Sequence, residues 1–140
     1  MKSIALVSCV SKKSSKPSPA KELYQSTWFV KAKAYVEQQG LDWYILSAKY
    51  GLLHRDRIIE PYEQTLHETP AMLRKQWAEQ VFQQLTSEFP DSIQMQIFAG
   101  RYYRQYLVLF LESANYTVIT PLSQLGIGQQ LQWFDQHLKR

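Results

Sequence analysis

Cysteine is nearly absent from this chain. The single Cys9 among 140 residues cannot close an internal disulfide, and no paired Cys/His spacing of the zinc kind accompanies it. Glycine is scarce as well, at five residues, and the basic turn after the first apolar run lacks the glycines of a Walker phosphate loop. The histidines at 54, 67 and 137 are scattered, so no Cys–His pair is legible. No run approaches the roughly 20 apolar residues of a membrane span. The N-terminus shows neither the apolar stretch nor the cleavage site of a signal peptide. These absences set aside a disulfide scaffold, a metal centre, an ATP-binding loop and a membrane protein. The expectation is one cytoplasmic domain over residues 1–140, with no cofactor called for and with its oligomeric state left open.

What the chain does have is aromatic residues and an uneven charge. Four Trp and nine Tyr are enough that some rings must keep a polar tip near water or a partner. The net charge is +4, but residues 1–33 hold seven Lys against Glu22 alone, a local +6. Such a segment suits a phosphate or a nucleic acid, or is simply a solvated Lys-rich loop.

Apolar runs alternate with helical patterns. Strands are predicted at Ile4–Cys9, Trp43–Ser47, Ile93–Ala99 and Tyr116–Thr120. Helices are predicted at about Ala20–Gln39, with a break near Ser26-Thr27, and after Thr69-Pro70, where Leu73, Trp77, Val81 and Leu85 form an apolar face. Two more follow at Arg101–Ala114 and Gly128–Leu138. Residues 49–69 read as irregular, too long for a plain connection and therefore suspected of function. Alternation of this kind implies right-handed crossovers. The fold class is α/β, a three-layer α/β/α sandwich with a mostly parallel sheet of about four strands, the first of them central.

Each cluster of unusual residues follows a predicted strand. In an open parallel sheet those C-terminal ends share one edge, and ligands bind in the crevice outside it. Cys9 becomes a nucleophile if Lys12 and Lys13 lower its pKa, or is a small buried hydrophobe. Lys12 and Lys13 are candidate anion contacts. Lys49, at a strand end with Tyr50-Gly51 behind it, is a candidate nucleophile, base or phosphate contact, or else pairs with Glu60 or Asp56. Glu60, held extended before Pro61, is the best carboxylate for acid/base work, or an unpaired surface Glu. Gly100, Arg101 and Tyr103 offer close backbone approach, a planar cationic fork and a stacking ring. Gly126 and Gly128 open a helix whose amides face the same edge. Cys9, Lys49, Glu60, Arg101 and Gly128 are expected to line one concavity, with Lys49 weighing more than Cys9.

Ser8-Cys9-x-x-Lys12, Leu23-Tyr24-x-Ser26-x-x-Phe29, Leu46-Ser47-Ala48-Lys49-Tyr50-Gly51-Leu52, Glu60-Pro61-Tyr62, Gly100-x-x-Tyr103 and Gly126-Ile127-Gly128 together resemble a bacterial and phage family of unknown function over nearly the whole chain. More distantly, Cys9 and Lys13 followed by Tyr24-x-Ser26 are similar to the core domain of archaeosine synthases, which modify a deazaguanine base in transfer RNA. That resemblance implies a uracil-DNA-glycosylase-like fold and a nucleobase-sized pocket, and the two resemblances together add Ser8, Tyr24 and Ser26 to the binding candidates.

Two functions compete. The first is an enzyme acting on a nucleobase, nucleotide or nucleic acid, by base modification or N-glycosidic chemistry. Lys49, Glu60 or Cys9 would do the chemistry, while Tyr24, Tyr50 or Tyr103 packs on the base. The second is a non-catalytic nucleic-acid-binding, stress-response module resembling the YaaA type. A protein-interaction domain with exposed aromatics is a blander third.

Overall fold

The computed structural model describes residues 2–8, 15–62 and 64–138. Its centre is a five-stranded sheet in the order β4-β3-β1-β6-β7, built from β1 (Ser3–Ser8), β3 (Asp42–Ser47), β4 (Gly51–His54), β6 (Gln94–Phe98) and β7 (Thr117–Ile119). A separate two-stranded ladder joins β2 (Ser18–Pro19) to β5 (Ile58–Ile59). As expected, β1 is interior and parallel to both neighbours, with Leu6 opposite Tyr44 on one side and Ile97 on the other. β6 and β7 are also parallel.

Residues Ile4 to Ser8 are all buried, because helices cover both faces of the sheet. Side chains alternate along the strand. Ile4 and Leu6 enter a core with Trp77, Val81 and Leu85 of α3 (Ala71–Glu88), Tyr103 of α4 (Arg101–Arg104) and Leu107 of α5 (Leu107–Ser113). Ala5 and Val7 enter the opposite core. There they meet Leu23 of α1 (Ala20–Leu23), Phe29 of α2 (Thr27–Gln38) and Phe134 of α6 (Ile127–His137).

Several expectations need correction. The sheet has five strands rather than about four, because residues 49–69 are not irregular throughout. They contain β4, β5 and a 3₁₀ turn, Leu66–Glu68. β4 returns antiparallel to β3, with Ser47 opposite Gly51. Gly51 makes this hairpin possible: its φ is +72°, and a Cβ there would stand 2.5 Å from the Gln84 side-chain oxygen. The break expected near Ser26-Thr27 is present, since Ser26 accepts the Phe29 amide at 3.2 Å and starts α2 afresh. The helix predicted over 101–114 is two. Leu73 is 49 % exposed rather than inward, because it lies in the first turn of α3 beside an open groove.

The chain leaves β1 for β3 through α2 on one face. It reaches β6, on the other side of β1, through α3 on the opposite face. The connection therefore reverses direction between β1 and β6, and this opens a crevice outside their C-terminal ends.

Candidate functional site

That crevice holds a cavity of about 270 Å³. Ser8, the last residue of β1, lies at its base, and the two sides differ in chemistry. One side comes from the N-termini of α2 and α6, with Ser26, Trp28, Ile127 and Gln130. The other carries His67 of the 3₁₀ turn, Gly100 after β6, and Tyr103 of α4. Among the described residues, the lining holds no Lys, Arg, Asp or Glu.

The lining is fixed from behind. The Trp28 indole N–H donates to Gln130 Oε1 at 2.8 Å, and Gln130 Nε2 donates to the Leu125 carbonyl at 2.8 Å. Both ends of the Gln130 amide are thereby oriented, and α6 is tied to α2. The His67 ring stands edge-on to Tyr102 at 5.3 Å, and Tyr103 meets Trp77 edge-on at 5.4 Å.

A second polar cluster stands at the end of β3. The Ser47 hydroxyl accepts the amides of Lys49 at 3.3 Å and Tyr50 at 3.1 Å, and it lies 2.7 Å from the Tyr62 hydroxyl. Both Ser47 lone pairs are then used, so its proton is directed to Tyr62. Tyr62 in turn meets the Tyr24 hydroxyl at 2.6 Å. The Lys49 ammonium rests 5.3 Å from the Tyr50 ring centre and 5.9 Å from that of Tyr62, while Arg57 covers Tyr50 at 5.0 Å.

Of the residues singled out from sequence, Ser8, Ser26, Gly100 and Tyr103 meet in the cavity. Gly126 caps α6, and Gly128 lies in its first turn next to Ile127. Lys49 faces a different groove, of about 500 Å³, which it shares with Gln64, Leu66 and Gln80. Tyr24 is buried behind Tyr62, and Tyr50 lies under Lys49 and Arg57. Glu60 is exposed and forms no ion pair with Lys49. Asp56 pairs instead with Lys21 at 2.9 Å. Arg101 is exposed and lies 5.7 Å from the Tyr102 ring rather than in the cavity. Cys9, Lys12 and Lys13 lie outside the described residues.

Sequence reasoning did not assign Trp28, His67, Ile127 and Gln130 to the site. Trp28 reads as core, and the 3₁₀ turn that delivers His67 has no local signal tying it to α4. Ile127 and Gln130 belong to the Gly126-Ile127-Gly128-Gln129-Gln130 run, whose glycines drew the attention. Among the described residues, no group of three or more His, Cys, Asp or Glu is placed to hold a metal ion. None of their helices is long and apolar enough to cross a membrane.

The chain belongs to a family of unknown function, DUF6884, which it matches over residues 4–136. No curated protein matches it, and neither does any solved structure.

Proposed function

We propose that this member of DUF6884 is an enzyme acting on a nucleobase, nucleotide or nucleic acid, by base modification or N-glycosidic chemistry, with the base seated in the cavity beside Ser8. One observation carries this reading: a ring-lined cavity of about 270 Å³ at the point where the sheet connection reverses. Its size lies near the lower end of the roughly 300–1,000 Å³ of small-molecule sites, which suits one heterocycle better than a dinucleotide. Trp28, His67 and Tyr103 supply flat surfaces for stacking. An interior parallel strand ending at the pocket also supports kinship with the uracil-DNA-glycosylase-like fold. In this reading Cys9, which follows Ser8 in the chain, is one nucleophile candidate. Lys49 and Glu60 would act from the neighbouring surface or on a longer substrate.

A second reading, a non-catalytic nucleic-acid-binding module of the YaaA type, is favoured by the cationic cover on Tyr50. Exposed Lys and Arg over tyrosine rings suit a single strand. Titration calorimetry with free bases, nucleosides, nucleotides and a short single-stranded oligonucleotide at two salt concentrations separates the two. The enzyme reading expects small-ligand binding that changes little with salt and falls at least tenfold in Tyr103→Ala. If only the oligonucleotide binds, with a log–log salt slope of roughly −0.7 per phosphate contact, and Lys49→Met with Arg57→Met weakens it, the second reading replaces the first. Native mass spectrometry of freshly purified protein, scored for a co-purified nucleotide, identifies which base to assay.

A further inference from the structure

We propose that Arg74, Tyr102 and Arg101 form a phosphate grip for single-stranded nucleic acid at the rim of the cavity, so that the base the cavity takes is still joined to its strand. The base's place rests on the function proposed above, whereas the grip's place does not.

The first ground is the company these cations keep. Among the described residues the ion pairs are Lys21–Asp56, Lys31–Asp135, His54–Asp56 and Arg55–Asp42. Arg74 and Arg101 take no part in them, and Glu68, beside His67 in the chain, pairs with neither. Their guanidiniums lie instead 4.4 and 5.7 Å from the centre of one ring, that of Tyr102. A tyrosine face attracts a cation without neutralising it. Two positive charges therefore share one ring uncompensated, and an anion set against both relieves their repulsion.

The second ground is the donors left over. Of the five N–H donors on the Arg74 guanidinium, the described residues engage one, from Nη1 to the Thr69 carbonyl at 2.6 Å. Its Nε is buried without a partner among them, which leaves the other Nη hydrogens for a ligand. That bond and the Tyr102 ring fix the Arg74 plane in advance, which lowers the ordering cost of binding. Arg101 is exposed and makes no side-chain hydrogen bond within the described residues. Planar guanidinium forks of this kind match the oxygens of a phosphate.

The third ground is position. Arg101 follows Gly100 and Tyr102 precedes Tyr103, and both Gly100 and Tyr103 line the cavity. His67, also in the lining, brings its ring to 5.3 Å from that of Tyr102. The grip thus borders the cavity and stays outside its uncharged lining. On the far side of the 3₁₀ turn, Leu66 and Glu68 wall the groove that holds Lys49, where Lys49 and Arg57 lie over Tyr50. A mononucleotide with its base in the cavity has one phosphate for one such cluster, whereas a strand offers successive phosphates to both.

The test is fluorescence anisotropy of a labelled, mixed-sequence single strand of about twelve nucleotides, titrated at several salt concentrations. Parent, Arg101→Met, Arg101→Lys and Arg74→Met are compared, with thermal melts to verify the fold. Arg101→Met should weaken binding by about five- to tenfold and flatten the log–log salt slope by about 0.7, the share of one phosphate contact. Arg101→Lys, which keeps the charge, should keep the slope. Arg74→Met should repeat the Arg101→Met result, but it also releases the Thr69 carbonyl, so exposed Arg101 is the deciding position. The grip is overturned if the strand does not bind, or if Arg101→Met leaves affinity and slope unchanged.

The second arm blocks the cavity with Ile127→Trp, at a lining position that is 66 % exposed and outside the core. Strand binding should weaken with its salt slope unaltered. If the arginine variants act as expected and Ile127→Trp does nothing, the grip stands and the nucleobase reading falls. If nucleosides bind and are lost in Ile127→Trp, while the arginine variants leave the strand unaffected, the grip falls and the nucleobase reading stands. A nucleoside monophosphate that binds as tightly as the strand, with the same dependence on Arg101, overturns the assignment to a strand.

Discussion

Removing one oxygen atom, in Ser47→Ala, should loosen the turn that carries Lys49 and Tyr50. Ser47 is fully buried, and alanine is nearly isosteric, so the change opens no void and isolates the polar contacts. Three are lost: the amides at 3.1 and 3.3 Å and the Tyr62 hydroxyl at 2.7 Å. The donation from the Trp77 indole to the Ser47 carbonyl, at 2.8 Å, survives because it is made to backbone. At roughly 0.5–1.5 kcal/mol per bond, with the 3.3 Å contact at the low end, the loss is about 2–3 kcal/mol. For a chain of this size that is a fall in Tm of roughly 6–12 °C. Urea denaturation of wild type, Ser47→Ala, Tyr62→Phe and the double variant measures it. The two residues should be coupled by about 0.5–1.5 kcal/mol, since each is the other's partner. A loss below about 0.5 kcal/mol, or no coupling, would refute the idea that this hydroxyl chain holds the turn.

Gly51→Ala should destabilise by about 2–3 kcal/mol in urea denaturation, from the strain of positive φ and the displaced Gln84–Leu52 hydrogen bond. In a Gln84→Ala background, where the obstructing oxygen is gone, only the φ penalty of about 1–2 kcal/mol should remain. The Lys21–Asp56 pair sets a pH window. The Lys21 ammonium holds the Asp56 carboxyl below the usual carboxylate range, and Asp56 holds Lys21 above the usual ammonium range. Its small contribution is complete between the usual carboxylate and lysine values, about 3.9 and 10.4. It is lost as pH falls through the depressed carboxyl or rises through the raised ammonium. The Tm difference between wild type and Asp56→Asn should therefore be flat from about pH 5 to 9 and close at both extremes. A difference that persists at pH 2 contradicts this assignment.

The parallel core was legible because burial on both faces leaves a mark in composition. Ile4–Val7 and Trp43–Leu46 are buried on both faces, the pattern an interior parallel strand leaves. β4 was less legible because Gly51-Leu52-Leu53-His54 is short and directly follows Lys49 and Tyr50. Its pairing depends on a positive φ and on a side chain, Gln84, that lies 33 positions away in the chain. Leu73 kept the spacing of a core residue and still fell outside, because spacing gives direction around a helix and not how far the sheet extends beneath it. The break between α4 and α5 is hidden for a related reason. Tyr103 and Leu107 are both buried, four residues apart, so the apolar pattern runs through the interruption.

For the site, the sheet edge was readable and the chemistry at that edge was not. Reasoning from residue type favours charged side chains, yet a cavity this small and apolar makes an unpaired charge expensive. Lys49 and Arg101 instead lie over tyrosine rings near solvent, where the ring face attracts the cation and water keeps it solvated. Gly100 reaches the cavity while its neighbour Arg101 does not, and Tyr103 does, because successive residues entering a helix point in different directions. Among the described residues, the polar groups of the lining are hydroxyl, indole, imidazole, phenol and carboxamide. Such groups bind by direction rather than by charge, and their direction is set by contacts such as Trp28 with Gln130 that span 102 positions of sequence. Local sequence therefore points to the edge that holds this cavity, while the identity of the lining is a property of how α2, α6 and the 3₁₀ turn close over β1.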